Sequence, residues 1–233
     1  SDLFNQDVTH LLIGIMAGVT IVAGCMGALS GRDVRTIATY NVMIGVGFIL
    51  IGLASGTEIG FAGAIYYLVH DMLAKALLFL LIGTMVYLTG ETIVKNMSGL
   101  IRNYPLFGWL YFMVMCALAG IPPLSGFIGK VLIGQGAIAG ENYVLLVIGF
   151  ASSVIVLYSL LRIFLASFFG ETIISEDHKK PIPTLAFVSF VSLAIFITGI
   201  GLAAEGIAPF VEDAARTRAD PSIYIEAILG DME

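Results

Sequence analysis

Four titratable side chains interrupt long apolar runs. YYLVHDMLAKALLFLLIG, Tyr66 to Gly83, holds His70, Asp71 and Lys75, and AGIPPLSGFIGK, Ala119 to Lys130, ends in Lys130. If the first run is helical, Asp71 and Lys75 are four residues apart and share a face, with the acid on the N-terminal side where pairing is favoured. His70 lies about 100° around the same helix, and histidine is the side chain that titrates nearest neutral pH. A charge at the centre of a membrane helix costs about 2.5 to 3.5 kcal/mol, so three titratable groups this close together need a reason. They suit proton transfer: His70 and Lys75 can exchange protons through water, with Asp71 holding Lys75 charged until a neighbouring charge pulls the pair apart. The alternative is static, an ion pair that neutralises itself and fixes helix packing.

Lys130 follows a break. Proline lacks a backbone donor and disfavours helix at the residue before it, so Pro122 and Pro123 push Ile121 and Pro122 out of helical geometry. With Gly120 and Gly126 on either side, the pattern predicts two half-helices joined by an extended link, and Ser125 is placed to cap the second. Carbonyls near Leu118 to Gly120 then lose their helical partners. At membrane depth such backbone is tolerated only under protein or beside a watery cavity, and interrupted helices of this kind often mark ion sites. Burial and the positive end of the second half-helix both act against a charge on Lys130, which makes it a candidate proton carrier. The plainer reading is a lysine that snorkels or fills a helix interface.

The elements that must position these groups are membrane helices. Only 12% of the 233 residues are charged, against roughly 25% in a soluble domain. Crossing the bilayer takes about 20 apolar residues. Six stretches qualify: about His10 to Leu29, Thr36 to Ala54, Phe61 to Thr89, the broken Pro105 to Ile138, Tyr143 to Phe169, and Thr184 to Ala204. The expected fold is therefore an all-α integral membrane bundle over residues 10–208, followed by an extracytoplasmic amphipathic tail over 209–233. Arg32 and Arg35 follow the first span, Lys95 and Arg102 the third, Lys179 and Lys180 the fifth, while the connections after the second and fourth carry no Lys or Arg. By the positive-inside rule the chain starts and ends on the outer side. Arg216 and Arg218 dissent, among the acidic Glu212 and Asp213.

Other residues carry less. Arg162 lies near the cytoplasmic end of its span, where snorkelling accounts for it, and His10, His178, Glu58 and Glu141 fall at span ends or loops and read as solvated. Cys25 and Cys116 sit in apolar runs as small hydrophobes. A net charge of -6 argues against a nucleic-acid partner. No nucleotide, flavin, haem, iron-sulfur or metal pattern is present in the sequence, so no cofactor is expected. The opening SDLFNQDVTHLL has neither Met nor a basic leader and reads as a processed product or a piece of something longer.

AGIPPLSGFIGK resembles the interrupted-helix motif in the second half of the antiporter-like membrane subunits, the family shared by respiratory complex I and the Mrp cation/proton antiporters. HDMLAKALLFLLIG resembles the helix before it in that family, and the spacing of Asp33, Arg35, Tyr40 and Gly47 resembles the segment entering an earlier helix, although Thr36 stands where many relatives have a second basic residue. The resemblance covers essentially the whole chain and implies the second inverted-repeat half of a longer subunit. It implies proton translocation through Lys130, His70, Lys75 and Asp71, with Gly120, Pro122, Pro123, Ser125 and Gly126 forming the broken helix. The implied partners are other membrane subunits of one complex, the missing N-terminal half, the lipid bilayer, and protons, with sodium handled elsewhere. A bacterial cell membrane is the implied location. Membership of complex I, where some relatives carry glutamate in place of Lys130, is the alternative; a structural scaffold whose polar residues only lock helices is the third reading.

Overall fold

The computed structural model describes residues 6–172 and 179–203, with side chains from residue 8. The regular elements among them are helices: α1 (Gln6–Ser30), α2 (Val34–Ala54), α3 (Glu58–Thr89), a 3-10 turn at Val94–Asn96, the short α4 (Leu100–Asn103), α5 (Pro105–Ala119), α6 (Ser125–Ala139), α7 (Tyr143–Phe168) and α8 (Thr184–Leu202). Five of them, α1, α2, α3, α7 and α8, are long and apolar enough to cross a membrane, while α5 and α6 are shorter apolar helices. The tail over 209–233, with Arg216 and Arg218, lies outside the described residues, as does His178.

Local chemistry sets the helix ends. Asp33 caps α2, its Oδ1 accepting from the Arg35 amide at 2.7 Å and the Thr36 amide at 3.4 Å, while Thr57 caps α3 by accepting from the Gly60 amide at 3.1 Å. Pro105 begins α5, where its missing donor costs nothing. Gly90 ends α3 with φ 75°, a left-handed geometry that a side chain disfavours.

The connections gather at two ends of the bundle. At one, the α1–α2 loop pairs with the segment after α3, Val34 N donating to Thr92 O at 2.9 Å and Val94 N to Arg32 O at 3.0 Å. The Tyr104 hydroxyl joins the same end by donating to Lys180 O at 2.7 Å. Arg32, Lys95, Arg102 and Lys180 therefore share one end. At the other, the Thr57 hydroxyl reaches Gly136 O at 3.5 Å, so the two connections without Lys or Arg lie together.

Helix α3 is the centre. It packs on α2, α5, α6 and α8, and its seam with α6 is lined by glycine: a Cβ at Gly63 would lie 2.6 Å from Ile133 N. Near the basic end, Phe107, Tyr111, Phe164, Phe168 and Phe190 tie α5, α7 and α8 together. Cys25 and Cys116 are free thiols.

Candidate functional site

The helix begun at Pro105 stops at Ala119 and resumes at Ser125. The link is a compact turn instead of the expected extended segment. Gly120 adopts φ 85°, and Leu124 N donates to Ile121 O at 3.2 Å across a cis Pro122–Pro123 bond. Ser125 is not the cap either: Leu124 holds that position in extended geometry with no side-chain bond. The Ser125 hydroxyl instead lies 2.7 Å from His70 Nδ1. Ile121, Pro122 and Pro123 are exposed, whereas Ser125 and Gly126 are buried.

A helix end leaves four carbonyls without helical partners, and all four of α5 are accounted for. Gly120 N donates to Cys116 O and Ala117 O, and Ile121 N to Cys116 O. The remaining two, Leu118 O and Ala119 O, accept from Lys130 Nζ at 2.9 and 3.0 Å. Lys130 reaches back from α6 to do this and gives its third donor to Ser153 Oγ of α7 at 2.9 Å. Gly120 is required twice over, for its positive φ and because a Cβ there would lie 2.8 Å from Lys130 Cδ. His70, fully buried, sits at the same break: a Cβ at Gly126 would meet both Ala117 O and His70 Nε2, so the ring lies where the two half-helices part.

The expected pair is present on the continuous helix. Lys75 Nζ lies 2.5 Å from Asp71 Oδ2 and donates also to Val42 O at 3.1 Å. Gly45 of α2 makes the space, since a Cβ there would overlap Lys75 Nζ. Asp71 Oδ1 is buried without a hydrogen-bond partner. A cavity of about 10 Å³ joins the two groups, room for about one water. Asn41, Gly45, Phe48, Asp71, Lys75 and Lys130 are among its walls.

The packing also brings in residues that were not singled out from the sequence. Asn41, buried in α2, donates to Ser159 Oγ of α7 at 3.0 Å and to Ile37 O at 2.8 Å. An asparagine in an apolar span and the Ser152–Ser153 dipeptide in another were the available signals. Arg162 does more than snorkel: its guanidinium donates to Leu29 O, Ala28 O and Gly31 O, closing the C-terminal end of α1. His10 is half-buried against Gly56, not solvated, whereas Glu58 and Glu141 are exposed. Among the described residues no cluster of His, Cys, Asp and Glu could hold a metal ion.

Long apolar helices around a buried set of titratable groups define a multi-pass helical membrane protein. A family model described as "NADH:quinone oxidoreductase/Mrp antiporter, TM" matches residues 1–156. The chain belongs to that family. It is 42% identical over 224 residues to the D-type Na(+)/H(+) antiporter subunit of Bacillus subtilis (strain 168), an alignment covering 95% of this chain and 45% of that protein. It is similar in structure to a chain of the Mrp complex from Dietzia sp. DQ12-45-1b, with a TM-score of 0.87, 25% identity, and coverage of 95% and 49%. A chain of respiratory complex I from Thermus thermophilus with bound NADH matches with a TM-score of 0.76, 26% identity, and coverage of 91% and 45%. The chain thus spans about half the length of the curated relatives it matches.

Proposed function

We propose that this chain is the proton-translocating second half of a D-type component of a multisubunit sodium/proton antiporter. The observation that carries the reading is Lys130: a buried ammonium held at a helix break by oxygen alone, in the same small cavity as the Asp71–Lys75 pair. Protons would pass between Lys130 and the pair through water in that cavity, with His70, oriented by Ser125 beside the break, as a further member of the relay. The chain's role is transport, without chemical catalysis of its own.

In this reading α5 and α6 form one broken span, giving six spans across residues 10–208 as the second of two inverted repeats. The basic loops face the cytoplasm of a bacterial cell, both chain ends face outward, and residues 209–233 lie on the outer surface. The missing first half and other membrane subunits complete the complex, which handles sodium elsewhere or at a site shared with this chain. The test is Lys130→Ala in the assembled complex: sodium-dependent proton exchange in everted vesicles is expected to disappear, and wild-type exchange would remove Lys130 as carrier.

The likeness to complex I supports a second reading, a proton-pumping module driven by redox chemistry in other subunits. Redox cofactors in the purified native complex would favour it; their absence together with sodium-dependent exchange would favour the antiporter.

A further inference from the structure

Lys130 is held as a bound ion would be. All three of its N–H donors meet oxygen: Leu118 O at 2.9 Å, Ala119 O at 3.0 Å and Ser153 Oγ at 2.9 Å. The two carbonyls form the C-terminal end of a half-helix, the negative pole of its dipole. Carbonyls freed in this way are ligands with which broken membrane helices hold alkali cations. The faces of Phe48 and Tyr67 lie 5.5 and 6.0 Å from Nζ and favour any positive charge. A separate observation points the same way. Asp71 is 5% exposed and lines the same cavity, yet its Oδ1 has no hydrogen-bond partner. Leu118 and Asp71 both line that cavity, so the nest lies beside a carboxylate, and hard oxygen donors of this kind suit hard cations.

We infer that this oxygen nest is a monovalent-cation site and that the Lys130 ammonium occupies it as a tethered competitor. The inference deepens the antiporter reading and rests on it. The Lys130 ammonium gives one proton to water and its neutral amine withdraws. A dehydrated cation then takes its place on Leu118 O, Ala119 O and Ser153 Oγ, with the Asp71 carboxylate beside the same cavity. One positive charge leaves and one arrives, so the surroundings that tolerate the ammonium tolerate the cation. Mutual exclusion at one position is enough to tie the two ions to opposite phases of a cycle.

Among the described residues, the charged and titratable groups facing Lys130 come from α3: Tyr67, His70, Asp71 and Lys75. From α2 come Asn41 and Phe48, from α7 Ser152 and Ser153, and from α5 two carbonyls; none of these titrates near neutral pH. The charges that bias the exchange therefore come from α3, acting on top of the burial of Lys130 itself.

The experiment measures radioactive sodium binding and dye-reported proton release in the purified complex containing the full subunit, with choline as control. In the wild type, sodium binding rises with pH and releases protons. Lys130→Gln is expected to bind sodium without proton release and without that pH dependence. Lys130→Arg keeps a permanent cation in place and is expected to weaken sodium binding more than about tenfold at every pH. Ser153→Ala removes one oxygen and weakens it about tenfold. Proton release persisting in Lys130→Gln, or wild-type affinity in Lys130→Arg, overturns the site. If Lys130→Gln fails to assemble, the arginine and alanine variants decide. Loss of exchange in Lys130→Ala with sodium binding unchanged in the other variants overturns the nest and leaves the proton carrier standing, whereas exchange that survives loss of Lys130 overturns both.

Discussion

Lys75 and Lys130 are nearly equally buried, 8% and 4% exposed, yet their charges are held in different ways. Lys75 is neutralised by a carboxylate one turn away on its own unbroken helix. Among the described residues Lys130 has no carboxylate within bonding distance; its acceptors are backbone and hydroxyl oxygens on α5 and α7. The first arrangement is local and survives small shifts between helices. The second exists only while three helices stay in register, so a change of charge at Lys130 bears directly on how α5, α6 and α7 sit together. A neutral amine has two N–H donors for three acceptors, and one oxygen of the nest must then find another partner.

The largest test of this contrast is Asp71→Ala. It strands the Lys75 ammonium with Val42 O as its remaining partner, and removing one member of a buried pair costs about 3–5 kcal/mol. Adding Lys75→Ala should recover most of that stability, because replacing both members of such a pair can be close to neutral. Thermal unfolding of the two variants in detergent decides; equal stability would mean that the pair is not coupled. Transport supplies a second readout. A relay predicts that the assembled double mutant loses proton exchange, and that His70→Ala alone reduces it, whereas a static pair predicts normal exchange.

Glycine substitutions probe the two sites with smaller effects. Gly45→Ala drives a Cβ into Lys75 Nζ, and such overpacking costs about 1–3 kcal/mol. Gly120→Ala puts a side chain at φ 85°, a left-handed geometry that costs about 1–2 kcal/mol, and also crowds the Lys130 stem. The first disturbs the pair and the Asp71 Oδ1, 2.6 Å from the added Cβ, and should lower sodium affinity less than the second, which strains the carbonyl end of α5 itself. Binding curves for both variants check this assignment.

The smallest expected effect is a control far from both lysines. Burial acts to raise the Asp33 carboxyl, but hydrogen bonds from the Thr92 side chain and from the Arg35 and Thr36 amides, with the Arg35 charge, hold it below the usual carboxylate range. A depressed folded-state value means that the cap's stabilisation is complete above the ordinary aspartate titration near 3.9 and is lost as pH falls through the lower folded-state value. Asp33→Ala should cost about 1 kcal/mol at neutral pH, and Asp33→Asn, itself a good cap, much less. Unfolding midpoints against pH should show the acid-side loss in the wild type and not in Asp33→Asn.

The features legible in the sequence are those that depend on neighbours along the chain. Apolar length marks the long helices, two adjacent prolines mark the break, and a spacing of four places Asp71 beside Lys75, because helix geometry makes all three local matters. The conformation of the link was not legible: an extended segment and a tight turn both satisfy the proline constraint, and the turn is the one that accompanies the long-range contacts of Ser125 and Lys130. The capping role expected of Ser125 failed for a related reason, since its hydroxyl has a better-placed partner 55 residues earlier in His70.

What the sequence determined by itself was therefore the medium, the helices, the interruption and one ion pair. The tertiary structure alone decided which oxygens meet Lys130, that Asn41 finds Ser159, and that Arg162 closes α1. These depend on how each helix is rotated about its axis and how closely it approaches its neighbours. Hydropathy fixes neither quantity in a bilayer, because lipid and protein interior are almost equally apolar. Small residues at the seams and the need to satisfy every buried polar group fix both, and those constraints act only when all the helices are assembled.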